Sequence, residues 1–281
     1  VITAKPYALN NADDIIRTAN AIIGRNYTLN IDGDTSTIPK SVASHWITTS
    51  SNNGKDTVAP DVNGITSSMN DYLNSLGTPA KNETIITTPE GRDIATTSYG
   101  SNGEKAVPED DMASKIASSI TQGKDISIQA RRTTVDFAQE RTKAPSDFGS
   151  ANGSHWLKID LNAQTVYAYK GTTLVNTLPL ATGSAGSDAT DAGTYYINVK
   201  YTSQTMRGVG YVSPDVPWVS YFNGGEGFHG APWNTYNIAH GIPSSHGCAN
   251  MLVNDAKWIY DFAPLGTKVE VVGTTPTGSV R

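Results

Sequence analysis

The stretch Ser244-Ser245-His246-Gly247-Cys248-Ala249-Asn250 contains Cys248, the only cysteine in a chain of 281 residues. A single thiol cannot form an internal disulfide, so it is either a buried small hydrophobe or a reactive group. A reactive thiol needs a base to take its proton and backbone N–H groups to stabilise an oxyanion. Gly247 lets the chain turn tightly, so successive N–H groups of this stretch could point at one place.

A candidate base lies upstream at His229, sixteen positions before Ser245. We predict that His229 is the general base and Cys248 the nucleophile; a core histidine at a strand end is the alternative. A histidine followed at this distance by Ser-His-Gly-Cys-x-Asn resembles the signature of the L,D-transpeptidases, which cross-link bacterial peptidoglycan. The resemblance extends from about residue 156 to residue 272.

The resemblance implies roles for the backbone around both groups. A base imidazole needs an acceptor on its other nitrogen to fix its tautomer, and in the family this is often the carbonyl just after the histidine, here that of Gly230. The N–H groups of His246, Gly247 and Cys248 are the expected oxyanion donors.

Other residues are expected around the substrate. The segment 202–217 contains several glycines and prolines and is predicted to be a mobile flap over the cleft, with a plain surface loop as the alternative. By resemblance, Tyr211 on this flap is a possible side-chain donor. Trp233 would form an apolar wall or simply pack. Ser245 and Asn250, grouped with these substrate-site residues, are expected mainly to brace the loop.

The reaction that the resemblance implies is an acyl transfer. The thiolate attacks the third residue of a tetrapeptide stem, D-Ala leaves, and a thioester remains on the enzyme. An amine of a neighbouring stem then forms a 3→3 cross-link, whereas water would make the enzyme an L,D-carboxypeptidase. A wall-binding module with an inactive site is a further alternative. No cofactor is expected, and carbapenems should acylate Cys248.

Two other classes of site are less consistent with the sequence. His229, His240, His246 and Cys248 are plausible zinc ligands, but their spacing matches no familiar zinc motif, so no metal is expected. A sortase would need an arginine near the thiol, and Arg207 is the only one between residues 153 and 280.

Composition limits the partners and the location. The net charge is −5 and charged residues make up 17%, which argues against nucleic acid as a partner. No apolar run approaches the roughly 20 residues that span a bilayer. The resemblance implies a monomeric, secreted Gram-positive protein at the extracellular face of the envelope or in the cell wall. Its signal or anchor is expected in a segment before Val1.

The first half, residues 1–140, is predicted to be an α+β domain. Amphipathic periodicity predicts helices over 13–23, 60–76 and the segment from Pro108 to Gly123, and alternation predicts strands over 27–31, 83–88 and 126–137. Nothing catalytic is visible there. The overall pattern resembles the peptidoglycan- or substrate-binding domain often found ahead of the transpeptidase domain.

The second half is predicted to be a mostly β catalytic domain over 154–273, after a polar linker over 141–153 and before a tail over 274–281. About seven strands and one packed helix over 255–262 predict mixed sheets in a sandwich-like arrangement. The family usually carries Thr-Pro-x-Gly where this chain has Thr190-Asp191-Ala192-Gly193. The missing proline predicts a looser loop, and we do not expect catalysis to depend on it.

Overall fold

A computed structural model describes residues 12–52, 55–208 and 210–281 of the chain. The backbone divides into two compact units. The first contains the described residues up to Lys81 together with Gly100–Ala138, and the second contains Asn82–Tyr99 together with Gln139–Arg281. Residues 1–11 of the predicted first domain lie outside the described residues.

The helices and strands follow one another along the whole chain. Those before residue 145 are α1 Ala12–Ile23, β1 Tyr27–Ile31, β2 Asp34–Thr37, α2 Lys40–Ala43, β3 Ile47–Asn52, β4 Lys55–Pro60, α3 Val62–Ser75, β5 Glu83–Thr87, β6 Asp93–Ser98, β7 Gly103–Pro108, α4 Met112–Gln122, β8 Ile126–Val135 and β9 Gln139–Lys143. Those after it are β10 His155–Asp160, β11 Thr165–Lys170, β12 Thr173–Pro179, β13 Gly193–Tyr196, β14 Val199–Gly208, β15 Tyr211–Asn223, β16 Glu226–Gly230, a short 3-10 helix Pro232–Asn234, α5 Thr235–His240, β17 Ala249–Met251, α6 Val253–Phe262 and β18 Lys268–Val272.

The first unit is an α+β structure, as the sequence predicts. Its main sheet has the order β2-β1-β8-β7, with β1 and β8 parallel. Helix α3 begins where the Asp61 side chain accepts hydrogen bonds from two backbone N–H groups, and α4 ends at Gly123 with a left-handed φ of 72°. The apolar faces of the helices and the sheet share one core, which includes Tyr27, Leu29, Trp46, Ile65, Met69 and Ile116.

The second unit is mostly β, which agrees with the predicted fold class. One mixed sheet has the order β12-β11-β10-β18-β13, and another has the order β14-β15-β16-β17. A single buried cluster joins these two sheets and α6; it includes Leu157, Ile159, Phe228, Met251, Ile259 and Val269. Alternate residues of β10 face this cluster, as expected of a strand with one buried face.

The boundary between the two halves differs from the prediction. The predicted linker over 141–153 begins inside strand β9, which pairs in parallel with β5, and the β6-β5-β9 sheet belongs to the second unit. Every residue of β9 is exposed, so the strand has no apolar alternation by which the sequence could reveal it. The polar composition indicated a linker because only the pairing partner defines this strand.

The predicted flap over 202–217 is largely a β-hairpin rather than an irregular loop. Strands β14 and β15 pair in antiparallel register as far as Gly208 and Tyr211, with an irregularity between Gln204 and Met206. Pro214 and Pro217 lie within β15. The prolines and glycines suggested a loop, but Pro214 lies in the irregular part of the hairpin and Pro217 is paired with Ser203.

The end of the chain is attached to the second unit rather than being a free tail. The Arg281 guanidinium donates hydrogen bonds to the carbonyl oxygens of Ala163, Gln164, Leu180 and Ile238. Predicted helix 255–262 is confirmed with a slightly earlier start at Val253, and α5 was not predicted.

Candidate active site

A cavity of about 240 Å³ in the second unit is bounded by the β14–β15 hairpin, β16, the 3-10 helix and the loop before β17. The predicted residues that line it are Cys248, His229, His246, Tyr211, Trp233, Ser245 and Asn250. The predicted glycines Gly230 and Gly247 contribute through backbone atoms, since the carbonyl oxygen of each accepts a hydrogen bond.

Strand pairing brings the histidine and the cysteine together. His229 lies in β16 and Cys248 immediately precedes β17, and the two strands run parallel with His229 opposite Asn250. The sulfur is therefore close to the start of β16. The thiol donates to the carbonyl oxygen of Gly225, 3.3 Å away, and the backbone N–H of Gly227 points toward the sulfur.

His229 is a buried imidazole whose tautomer is set by the backbone. Its side chain is only 3% exposed, and Nδ1 lies 3.1 Å from the carbonyl oxygen of Gly230. Because a carbonyl can only accept, Nδ1 carries the proton and Nε2 is free to take one. Burial lowers the pKa of His229, while the bond to Gly230 opposes this effect. The ring is therefore neutral at neutral pH.

Cys248 is half-buried and protonated at rest. Burial is the main reason that its pKa rises from 9.0 to about 11; the Gly227 N–H opposes this rise and the charge of Glu226 adds to it. A neutral thiol thus faces a cavity that also contains a neutral imidazole. Since both groups are neutral, the site at rest does not contain a thiolate–imidazolium ion pair.

The backbone amides of the loop before β17 differ in whether they already have a hydrogen-bond acceptor. Gly247 has φ of 116°, a backbone conformation that favours glycine. Its N–H donates to the Ser245 hydroxyl at 3.2 Å, and that hydroxyl donates in turn to the Cys248 carbonyl oxygen. The Gly247 amide is thus already engaged, which leaves the amides of His246 and Cys248 as the candidate oxyanion donors. The Ser245 hydroxyl is occupied in shaping the loop.

Neighbouring segments hold this loop from behind. The Thr190 hydroxyl donates to the Gly247 carbonyl oxygen at 2.7 Å and accepts from the Gly183 N–H at 3.0 Å. Ala181 and Asn250 exchange two backbone hydrogen bonds, each of 2.9 Å. The loop is irregular, yet these backbone groups are partnered, which helps to fix its geometry around the two free amides.

Aromatic rings and one amide complete the walls. The Tyr211 ring stacks on His246 with centroids 4.8 Å apart, and burial raises the pKa of its hydroxyl, which therefore stays protonated. The Trp233 ring lies 6.1 Å from the His229 ring and is 56% exposed. Within the described chain, the buried Asn250 Oδ1 has no hydrogen-bond partner, so an acceptor is available to a bound molecule.

The sequence reasoning missed several residues of this site. Met206 and Ser213 from the hairpin line the cavity. Tyr221 is near enough to the thiol that the Cys248 charge adds to burial in raising the Tyr221 pKa to about 12. Thr190 and Glu226 hold or influence the loop from outside the cavity. The family pattern marks Thr190 but gives it no role, and no sequence pattern marks Glu226, because both reach the loop only through the tertiary fold.

The alternative sites receive no support from the geometry. Within the described residues, no three His, Cys, Asp or Glu side chains are grouped so that they could hold a metal ion. His240 does not line the cavity; its ring stacks on Tyr236, whose carbonyl oxygen accepts from Nδ1. Arg207 is paired with Val212 in the hairpin and does not line the cavity either.

Comparison with known proteins gives a consistent family. Residues 154–271 match the sequence model of the YkuD family, described as the L,D-transpeptidase catalytic domain. The "Putative L,D-transpeptidase YciB" of Bacillus subtilis (strain 168) is 28% identical over 151 residues, which are 50% of this chain and 76% of that protein. "L,D-transpeptidase 2" of Mycobacterium tuberculosis (strain CDC 1551 / Oshkosh) is 32% identical over 111 residues, 36% of this chain and 27% of that protein.

Solved structures with similarity carry the same family name. An L,D-transpeptidase from Stackebrandtia nassauensis is 29% identical, with 46% of this chain and 60% of that chain covered and a TM-score of 0.39. A mutant L,D-transpeptidase of Enterococcus faecium is 22% identical, with 92% of this chain and 100% of that chain covered and a TM-score of 0.37.

Among the helices that the structure describes, none is both long and apolar enough to cross a membrane.

Proposed function

Residues 154–271 of this chain belong to the L,D-transpeptidase catalytic-domain family, and on that premise we propose that the protein is a peptidoglycan L,D-transpeptidase that forms 3→3 cross-links. Its donor is a tetrapeptide stem and its leaving group is D-Ala. The observation that carries the proposal is one cavity lined by a lone, half-buried thiol and a buried imidazole whose Nε2 is unprotonated.

In the first half-reaction, Cys248 is the nucleophile and His229 the base. The sulfur attacks the carbonyl carbon of the third stem residue while Nε2 of His229 takes the thiol proton. The carbonyl electron pair moves to oxygen, where the N–H groups of His246 and Cys248 stabilise it. The C–N bond to D-Ala then breaks, the departing nitrogen takes the proton from the imidazolium, and a thioester remains on Cys248.

In the second half-reaction, an amine of a neighbouring stem attacks the thioester carbon. His229 takes a proton from this amine and returns it to the sulfur as the C–S bond breaks. An amide bond joins the two stems, and the thiol and the neutral imidazole are restored. Water in place of the amine gives L,D-carboxypeptidase activity, with a free tripeptide stem as its product.

Residues of the cavity walls are assigned to substrate contacts. The protonated Tyr211 hydroxyl can donate to the substrate from the hairpin, and the unpartnered Asn250 Oδ1 can accept from a peptide N–H. Trp233 offers an apolar face beside His229. Ser245 positions the backbone donors through its two hydrogen bonds.

The setting of this chemistry is the cell wall. Stem peptides are exposed at the outer face of the envelope, and we assign the protein to that place and the first unit to peptidoglycan binding. The strained carbonyl of a carbapenem is an acyl donor for the same thiol, so these compounds should form an adduct on Cys248. The chemistry requires no cofactor.

The direct test incubates the purified chain with disaccharide-tetrapeptide and follows the muropeptides by mass spectrometry. We expect a cross-linked dimer with loss of one D-Ala, and a thioester adduct on Cys248 at early times. Cys248→Ala should form neither, whereas His240→Gln, which changes a histidine outside the cavity, should form both.

The products separate the candidate functions. Tripeptide without dimer indicates the carboxypeptidase, and binding to intact peptidoglycan without any acyl-enzyme indicates a wall-binding module. Unchanged tetrapeptide together with the absence of any carbapenem adduct would overturn the proposal.

A further inference from the structure

The carboxyl group of Glu226 lies beside the site, yet the proposed chemistry does not use it. Glu226 is the first residue of β16, and its side chain bridges two other segments. Oε1 accepts the backbone N–H of Asp191 at 3.0 Å, and Oε2 accepts from the Asn223 side-chain amide at 2.9 Å. The carboxylate thus links the 190–193 loop to the β15–β16 turn.

This bridge lies directly against the residue that precedes the nucleophile. A Cβ added to Gly247 would be 3.4 Å from Glu226 Cγ and 3.5 Å from its Oε1. The Gly247 carbonyl oxygen is held by Thr190, the neighbour of Asp191. Consecutive residues of one loop therefore hold Gly247 directly and hold the carboxylate that packs on it.

The hydrogen bond from residue 191 exists because that residue is not proline. The family pattern noted above has proline after the threonine, and proline has no N–H to donate. In this chain Asp191 supplies that N–H, and the loop gains an attachment to Glu226. We expected the loop without proline to be looser and unimportant for catalysis. The bond from Asp191 instead attaches the loop to a carboxylate that packs on Gly247.

The charge on Glu226 also acts on the thiol. Burial raises the pKa of Glu226, the hydrogen bonds from Asn223 and Asp191 oppose the rise, and the Asp191 carboxylate adds to it. Among the described residues, the titratable groups whose charges interact with that of Glu226 are Asp191, Tyr195 and Cys248. None of these three is a cation. At the alkaline pH where the thiol ionises, Glu226 is a nearby like charge that disfavours the thiolate.

We propose that Glu226 is a positioning residue of the acyl-transfer site: its carboxylate fixes the loop of Gly247 through Asp191 and Asn223 and places a negative charge close to Cys248. The assignment rests on the proposed function for its catalytic meaning. It acts through the backbone amides and the sulfur, so it should affect acyl transfer from a peptide and alkylation of the thiol differently.

The experiment measures two reactions of Cys248 in intact variants of the full chain. Alkylation by iodoacetamide as a function of pH reports the thiol pKa and needs no oxyanion donors. Thioester formation from disaccharide-tetrapeptide needs them. We expect Glu226→Gln and Glu226→Ala to shift the alkylation profile to lower pH by about half a unit, because a like charge is removed. Glu226→Ala should also slow thioester formation about tenfold, because the loop loses its bridge.

A second pair of variants isolates the hydrogen bond. Asp191→Pro removes the N–H, and Asp191→Asn keeps it while removing the side-chain charge. We expect thioester formation to be several-fold slower in Asp191→Pro than in Asp191→Asn, with alkylation by iodoacetamide less affected. Circular dichroism of each variant shows whether it is folded, and the Asp191 pair decides the question if the Glu226 variants do not fold.

The proposal is overturned if the alkylation profiles of the Glu226 variants superimpose on that of the unmodified chain, or if the two Asp191 variants form thioester equally fast. Should the unmodified chain form no thioester, the proposed function fails, and the alkylation profiles alone then decide whether Glu226 controls the thiol.

Discussion

The two compact units bury polar groups to very different extents. Among the described residues, the buried polar or charged side chains of the first unit are Asp56 and Ser119. Those of the second unit are Thr87, Thr88, Gln164, Thr165, Thr182, Thr190, Ser220, His229, Asn234, Ser245, Asn250, Thr267 and Thr275. The first unit has an essentially apolar core, whereas the second buries many polar side chains, of which His229, Ser245 and Asn250 line the cavity.

The contrast follows from what each unit has to hold in place. Helices and sheets satisfy their own backbone groups, so the first unit needs only apolar burial to be stable. The second unit fixes irregular segments around the thiol, and their N–H and C=O groups need side-chain partners. The Gln164 side chain supplies partners to the Leu161 carbonyl oxygen and the Thr182 N–H, and Thr190 supplies one to the Gly247 carbonyl oxygen. Buried polar side chains of the second unit thus hold irregular backbone near the thiol in place.

The largest effect is expected at the buried polar residue that we propose as the general base. His229→Gln removes the proton acceptor and should slow thioester formation by about 10²- to 10⁴-fold. The matched control is His240→Gln, because His240 also donates from Nδ1 to a backbone carbonyl but lies outside the cavity. Stopped-flow or quenched mass spectrometry of the acyl-enzyme measures both. Equal rates in the two variants would exclude His229 as the base.

The second-largest effect is expected on stability, at the buried hydrogen bonds of the Gln164 side chain. Gln164 is fully buried; its amide donates to the Leu161 carbonyl oxygen and to the Thr182 hydroxyl, and it accepts the Thr182 N–H at 2.7 Å. Gln164→Met keeps the length and leaves these groups without partners. We expect the free energy of unfolding to fall by about 2–4 kcal/mol.

Urea denaturation followed by circular dichroism measures this change, and hydrogen exchange assigns it to the second unit. The control is Gln129→Met on the exposed face of β8, which should change stability by less than about 0.5 kcal/mol. Similar values for the two substitutions would show that the buried amide network is not structurally important.

The thiol should make stability depend on alkaline pH. Its pKa is about 11 in the folded chain against an ordinary value of 9.0, so the unfolded state releases this proton first. The stabilising contribution is complete below pH 9 and is lost as the pH rises toward 11. Relative to Cys248→Ala, the unmodified chain should lose about 2 kcal/mol by pH 11. Parallel stability curves for the two proteins between pH 8 and pH 11 would contradict the raised pKa.

The smallest effect is expected in the apolar core of the first unit. The buried Trp46 indole N–H donates to the Ser68 hydroxyl at 3.0 Å, and Ser68→Ala removes that acceptor. The cost should be about 1 kcal/mol, because a single neutral hydrogen bond is lost. Ser67→Ala, on the exposed side of the same helix, is the control. Hydrogen exchange of α3 compares them, and a larger loss than that of Gln164→Met would reverse the contrast between the units.

Local patterns predicted a large part of the fold. The helices α1, α3 and α4 were found from apolar residues at helical spacing, with Gly123 ending α4 as expected. Strands with one buried face, such as β10 and β18, were found from alternation. Strand β9 and the part of the β14–β15 hairpin within 202–215 were missed, because the first has no apolar residue and the second contains prolines and glycines.

The candidate site was predictable where its residues are close in sequence or match a known spacing. His229, Cys248 and the loop around Gly247 were identified in this way. Glu226 could not be assigned, because its contacts to Asp191 and Asn223 depend on the tertiary fold. Similarly, no pattern shows that the Gly247 N–H is engaged by Ser245 rather than free to stabilise an oxyanion.

The amino-acid sequence by itself determined the candidate reactive groups, the amphipathic elements and the family resemblance of residues 154–271, since side-chain chemistry and periodicity are local properties. The tertiary structure decided the surroundings of those groups. Parallel pairing of β16 with β17 sets His229 opposite Asn250, and the same packing buries the thiol and places Glu226 beside it. Burial and the distance between charges set a pKa, and both depend on segments that only the folded chain brings together.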